Sequence, residues 1–281
     1  MSPAPIPTPI PIPTGTEELL ATLESGVLTL TLNRPQARNA MSLEMMAALQ
    51  RQLAAAESDP AVRCVVLTGA GTGFCAGGDV KGMNQRGGAP AGELTLDEAI
   101  HRQRLSQRAT AGKLFSMPKP TLAALPGAAA GAGLALALAC DLRIMASSAF
   151  FTTAFARVGV SGDYGGSYFL TQLLGTAKAR ELYFLSDRVG ADEALRLGLT
   201  NWVCAPQDLA ARAREIALRL AAGPTIAYRY MKENLNRALH GEVGECMDLE
   251  ATHHVHCTQT EDHREATRAF VEKRDPLFVG R

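Results

Sequence analysis

From Leu122 to Cys140 every residue is apolar, Gly or Pro. No other stretch limits the possible folds as tightly. Its length approaches that of a bilayer span. However, Ala and Gly dominate it, and Pro126-Gly127 breaks it. A buried strand, a tight turn and a buried helix explain it better than a membrane segment. A strand and a helix that are both apolar throughout must lie between other layers.

The same order recurs upstream. Val62 to Leu67 (VRCVVL) reads as a buried strand and runs into the turn GAGTGFCAGGD. Before it, ESGVLTLTLN (Glu24 to Asn33) alternates as a strand does. Ser42 is a plausible N-cap for a helix reaching about Ser58, which Asp59-Pro60 ends. Leu96 to Met117 reads as a helix stopped by Pro118 and Pro120. Thr121 to Leu125 and Leu142 to Ala146 read as strands. Strand, glycine turn and helix in repetition predict an α/β layer architecture. Helices are predicted from Gly166 to Leu174, Ala177 to Phe184 and Ala191 to Leu197. Beyond Ala205 the pattern is almost wholly helical: Asp208 to Ala222, Thr225 to Leu239, Gly244 to Thr258 and Glu261 to Lys273. The expected division is a Pro-rich disordered tail (1–15), an α/β core (16–205) and a helical C-terminal region (206–281). Such a region often lies across a neighbouring subunit. The tail, MSPAPIPTPIPIPTGT, lacks the basic start and continuous apolar stretch of a signal peptide and could cover a neighbouring subunit.

Lys plus Arg and Asp plus Glu both number 28. This balance gives no support for nucleic-acid binding, which usually needs a basic face. The six cysteines are scattered without a CxxC pair. That suits reduced thiols in a cytoplasmic protein.

A glycine turn after a buried strand invites a nucleotide-binding reading. Gly69 onward reads GAGTGF, but the sixth position is Phe74, and no acidic residue ends a second strand about twenty residues on. Neither turn ends in Gly-Lys-Ser/Thr, so a P-loop fails as well. Tight turns without chemistry remain possible. The functional alternative is specific: glycine lets backbone N–H groups approach a ligand and point inward. Two converging N–H donors make an oxyanion hole, worth a factor of roughly 100 or more in rate per donor.

Four segments in order resemble the enoyl-CoA hydratase/isomerase (crotonase) family. They are NRPQARNAMS (Asn33 to Ser42), GFCAGGDVKGM (Gly73 to Met83), LPGAAAGAGLALALACDLRI (Leu125 to Ile144) and the end, TEDHREATRAFVEKRDPLFVGR. The resemblance implies a crotonase-like spiral of ββα units with a helical C-terminal trimerisation region, and so a homotrimer or homohexamer. It places the oxyanion donors on the N–H groups of Gly78 and Ala132. The second position is often Gly in the family, but Ala132 keeps the N–H. The substrate is an acyl-CoA thioester, with CoA part of the substrate and no separate cofactor or metal. Its adenine and ribose would lie near Ala37, Arg38 and Ala76, Gly77, Gly78, Asp79 and Val80. Arg38 and Lys273 are plausible phosphate partners or ordinary solvated charges.

Hydratases of this family use two glutamates, and the matching positions here are Ala135 and Phe155. Neither residue moves a proton. Asp163, in VGVSGDYGGSYFL, is either a helix cap or the acid/base. The segment around it resembles the phenylacetate-pathway enoyl-CoA isomerases of the family, in which the matching aspartate carries the proton. One carboxylate suffices to move a double bond from the 3,4 to the 2,3 position. Hydration, a nucleophilic aspartate as in chlorobenzoyl-CoA dehalogenases, carbon–carbon hydrolysis and a silent acyl-CoA binder are the rivals. Tyr164 could supply a second polar group. The loop Asn84 to Glu93 and the adjacent helix are expected to set acyl specificity. His253, His254, His256 and Cys257 read as a surface or interface helix or as metal ligands. Cys75 reads as a packing residue rather than a nucleophile.

Overall fold

A computed structural model describes residues 8–79 and 94–281. Among these residues ten strands form two sheets. The larger holds β1 (Ile10–Ile12), β2 (Leu19–Glu24), β3 (Val27–Leu32), β4 (Cys64–Gly69), β5 (Thr121–Leu125), β7 (Leu142–Ala146) and β10 (Trp202–Cys204). They lie side by side in that order. The first three pair antiparallel, and from β3 onward every pair is parallel. The smaller sheet joins β6 (Ala129–Ala130), β8 (Phe150–Thr152) and β9 (Val189–Gly190).

Parallel strands are covered on both faces and therefore read as continuous apolar runs. β5 is buried at every residue, and β4 at all but Thr68. Helices α1 (Leu43–Ser58) and α7 (Leu209–Ala221) pack against this sheet. Between β6 and β7 lies α4 (Ala132–Ala139), each of whose residues is buried. An all-apolar helix belongs inside the core, which accounts for the Leu122 to Cys140 run. Among the described residues no helix is long and apolar enough to cross a membrane.

Ser42 caps α1 as expected. The Ser42 side chain accepts from the Met45 N–H at 3.0 Å. Thr95 opens α2 (Leu96–Gln107) with a capping box closed by Glu98. The predicted single helix to Met117 is instead α2, a π turn (Arg108–Gly112) and α3 (Lys113–Ser116). Then come α5 (Gly166–Leu185), interrupted at Gly175, and α6 (Ala191–Arg196).

The tail reading needs correction at its end, because Ile10–Ile12 pairs with β2. An edge strand in an antiparallel ladder uses the amides of alternate residues. Pro11 therefore stands where no donor is needed, between Ile10 and Ile12. Gln52 donates to the Pro13 carbonyl at 2.9 Å and Arg51 to that of Thr14 at 3.1 Å, fixing the segment further.

The C-terminal helices are α8 (Thr225–Ala238), α9 (Val243–Cys257) and α10 (Glu261–Glu272). Buried Lys232 ties α8 to the core, donating to Asp141 Oδ2 and the Leu114 carbonyl, both at 2.9 Å. Their outer surfaces leave Val243, Met247, Val255, Phe270 and Val271 exposed. His253 is buried, stacks on Tyr230 and bonds Asn234.

Candidate active site

The first glycine turn leaves β4 and is stapled from outside. Asn39 is fully buried, and its side-chain amide donates to the carbonyls of Ala70 at 3.0 Å and Gly73 at 2.9 Å. Its Oδ1 accepts from the Arg34 N–H at 2.9 Å. Segment 33–42 is thus locked against the turn. Ala76 N–H donates to the Arg38 carbonyl at 3.0 Å, and Met41 N–H to that of Gly77 at 2.8 Å.

The second turn, after β5, meets the first backbone to backbone. Cys75 N–H donates to the Ala128 carbonyl at 3.1 Å, and Ala130 N–H to that of Cys75 at 2.9 Å. Glycine is required at the closest approaches. A Cβ on Gly77, whose φ is 87°, would sit 2.8 Å from the Ala130 carbonyl oxygen and 3.3 Å from the Ala132 nitrogen. A Cβ on Gly133 would lie 2.4 Å from the Cys75 carbonyl oxygen. Burial pushes the Cys75 thiol up to about 12, so it packs here as an inert thiol.

Ala132 is the first residue of α4, where a helix N–H has no intrahelical partner. Neither its N–H nor that of Gly78 has a hydrogen-bond partner among the described residues. Both residues line one cleft of about 890 Å³, with Met41, Met46 and Leu105 on its apolar walls.

Asp163 lines the same cleft. It stands in a turn between Gly162 (φ 107°) and Tyr164 (φ 50°), just before α5. The helix-cap reading fails, because α5 begins after Gly165 and has no side-chain cap. Oδ1 of Asp163 is buried without a hydrogen-bond partner among the described residues. Burial pushes its carboxyl up from 3.8 to about 6. A buried carboxylate with no donor loses hydration and gains nothing in return.

Glu18, Glu44 and Asp79 also line the cleft. Arg34 pairs with Glu18 at 3.1 Å and with Asp79 at 3.5 Å, while Glu44 is exposed in the first turn of α1. Ala135 and Phe155 are buried beside the Asp163 turn. A Cβ on Gly166 would lie 3.4 Å from that of Ala135 and 4.0 Å from the Phe155 ring. Phe155 stacks on Tyr183, with centroids 5.6 Å apart. Ala135 and Phe155 therefore bring no ionisable group to this side of the Asp163 turn.

The Tyr164 hydroxyl, which sequence reasoning does not place, bonds Ser106 Oγ at 3.1 Å, and Gln50 Nε2 donates to the same oxygen at 3.0 Å. Gln50, Gln103 and Ser106 all line the cleft. No motif marks them, since each is a polar residue on a helix of ordinary pattern. The adjacent α2 walls the cleft, whereas Asn84 to Glu93 and Val80 lie outside the described residues. Arg38 bonds the first turn at Ala76 beside Ala37, and none of Ala37, Arg38, Ala76 and Gly77 lines the cleft. Lys273 is not brought to it. It caps α10 with φ 55° and is exposed.

Two backbone N–H groups and one desolvated carboxylate around a long cleft can polarise a carbonyl and move a proton beside it. Such a pairing suits enzymes that pass through an enolate, and the comparisons with known proteins give the family. The enoyl-CoA hydratase/isomerase family model matches residues 22–281. The chain is 37% identical over 265 residues to the 1,2-epoxyphenylacetyl-CoA isomerase of Escherichia coli K12, covering 94% of this chain and 99% of that protein. It is 32% identical to the crotonyl-CoA hydratase of Syntrophomonas wolfei, with the same coverage of both chains. The crystal structure of an enoyl-CoA hydratase from Polaromonas sp. JS666 superposes with a TM-score of 0.85 at 36% identity, covering 92% of this chain and 99% of that one. This chain belongs to the enoyl-CoA hydratase/isomerase family and has the crotonase fold.

Proposed function

We propose that the protein isomerises 3-enoyl-CoA thioesters to 2-enoyl-CoA thioesters, with Asp163 as the single acid/base. The observation that carries this reading is a desolvated, unpartnered Asp163 carboxylate in the cleft of Gly78 and Ala132. The N–H groups of Gly78 and Ala132 hold the thioester oxygen. The Asp163 carboxylate takes a proton from C2, and the C–H electron pair moves into the enolate. The Asp163 carboxyl then returns the proton to C4, and the double bond forms between C2 and C3 as the carbonyl is restored. CoA enters as part of the substrate, with its adenosine end beside Ala37, Arg38 and Ala76 to Val80. The exposed apolar residues of α9 and α10 support a homotrimer or homohexamer, in which Lys273 reaches a phosphate only across subunits. A cytoplasmic location fits the free cysteines.

Hydration is the second reading. The hydrogen-bonded chain of the Tyr164 and Ser106 hydroxyls and the Gln50 amide offers a polar wall to water, and several relatives carry hydratase names. Purified protein given trans-3-hexenoyl-CoA and crotonyl-CoA in parallel separates the two. Isomerisation is expected to dominate, and Asp163→Asn to lower its kcat by roughly 10²–10⁴-fold with acyl-CoA affinity kept. Fast hydration of crotonyl-CoA without isomerisation selects the second reading. An Asp163→Asn protein that isomerises normally removes Asp163 from the mechanism.

A further inference from the structure

Asp163 poses a positional problem. A carboxylate without donors keeps a high proton affinity, but nothing then holds its side chain. One of its oxygens is buried with no partner among the described residues, so its aim depends on the main chain. That main chain is an unusual one. Gly162, Tyr164 and Gly165 all have positive φ, at 107°, 50° and 79°. For a bulky residue such as Tyr164 this conformation is strained and persists only where surroundings enforce it.

The enforcing contact comes from α2. Tyr164 N–H donates to Gln107 Oε1 at 2.9 Å. This amide belongs to the peptide that begins at Asp163. The neighbouring Ser106 grips the other end of the same residue through its hydroxyl at 3.1 Å. On the far side, the Asp163 carbonyl accepts from Gly166 N–H at 3.0 Å, which closes the turn onto α5. Directly after Gln107 the helix passes into the π turn Arg108–Gly112, a distortion that often marks functional segments.

We propose that Gln107 is a positioning residue for proton transfer: by holding the Tyr164 amide it fixes the turn that aims Asp163 into the cleft. It touches no substrate atom and acts through Asp163. The inference rests on the assignment of Asp163 as acid/base.

Gln107→Met keeps the side-chain length and removes the acceptor. Isomerisation of trans-3-hexenoyl-CoA by the full chain is expected to lose roughly 10- to 100-fold in kcat, since small misplacements of a catalytic group cost that much. KM and the melting temperature should stay close to wild type. Gln107→Glu restores an acceptor oxygen and should recover most of kcat. Its acid limb should shift to higher pH, because a negative charge beside Asp163 disfavours ionisation there. In an Asp163→Asn background, Gln107→Met should cost nothing further, as expected of a residue acting through another. The proposal is overturned by a Gln107→Met protein with wild-type kcat. It is equally overturned by parallel losses in kcat, KM and melting temperature that Glu does not rescue, or by an additional loss in the Asp163→Asn background. If Asp163→Asn itself isomerises at the wild-type rate, the acid/base assignment fails. If only the Gln107 variants are silent, that assignment stands.

Discussion

The paired glycine turns and the Asp163 turn serve one cleft but are built in opposite ways. In the glycine pair the proposed reactive groups are main-chain N–H donors, and the turns are knitted by hydrogen bonds between Cys75, Ala128 and Ala130. Asn39 and the 33–42 segment brace them from behind. In the Asp163 turn the reactive group is a side chain with an unpartnered oxygen, and the main chain is gripped at few points. A donor works best when rigid and preorganised. A base that must give its proton back works best when it is well aimed but poorly solvated and free of donors to its charged form. Under the proposed mechanism, the difference means that charge stabilisation and proton movement are separated in this cleft, each with its own local architecture.

The sharpest way to break the comparison is to force the glycine pair apart. Gly77→Val adds a Cβ 2.8 Å from the Ala130 carbonyl oxygen at a residue with φ 87°. Main-chain atoms cannot step aside as a flexible side chain can, so the two turns must separate. Turnover of a 3-enoyl-CoA is expected to fall by roughly 100-fold or more, the typical loss when one oxyanion donor is misplaced. Steady-state kinetics checks this. Near-normal turnover would show that the reaction does not need the close contact between the two turns.

A titration tests the other half. With the Asp163 carboxyl raised to about 6 by burial, the carboxylate that must accept the first proton is depleted below that pH. Here kcat/KM should be flat above about pH 7 and fall about tenfold per unit below the midpoint. A midpoint near 4 instead would mean that solvent reaches Asp163 and that the contrast between the two regions is weaker.

Much of this contrast is legible in the sequence itself. Glycines that follow buried strands announce close backbone contact, and Gly78, Ala132 and Asp163 do line one cleft. Helix bounds are legible where a cap is local, as at Ser42 and Thr260. What stays hidden depends on partners distant in sequence. β2 (LLATLE) and β10 (WVC) lack clear alternation and become strands only beside β3 and β7. Ile10 and Ile12 look like polyproline tail because the parity of prolines in an edge strand matters only once a neighbour exists. Gln107, Ser106 and Gln50 are ordinary helix-surface polar residues until folding brings them to Tyr164. The π turn that follows Gln107 has no local signature, since Arg108 to Gly112 continues the pattern of α2.

The smallest predicted effect bears on what the unpartnered carboxylate costs the fold. Asp163 has its folded pKa raised above its unfolded value, from 3.8 to about 6. The folded state therefore holds this proton more tightly than the unfolded state. Its contribution is most favourable below about pH 4, is lost as pH rises through 6, and leaves a constant penalty above that. Replacement by a neutral isostere removes the penalty. Asp163→Asn should accordingly be more stable than wild type at pH 8, by about 1–3 kcal/mol, and the gain should shrink toward pH 4. Urea denaturation at the two pH values checks both the sign and the trend. A gain independent of pH would point to packing instead, and a loss at pH 8 would mean that the ionised side chain is held by the folded protein after all. The expected gain is the mark of a residue kept for its chemistry: the glycine turns gain stability from their contacts, whereas the Asp163 turn gives some up to keep its carboxylate unpaired.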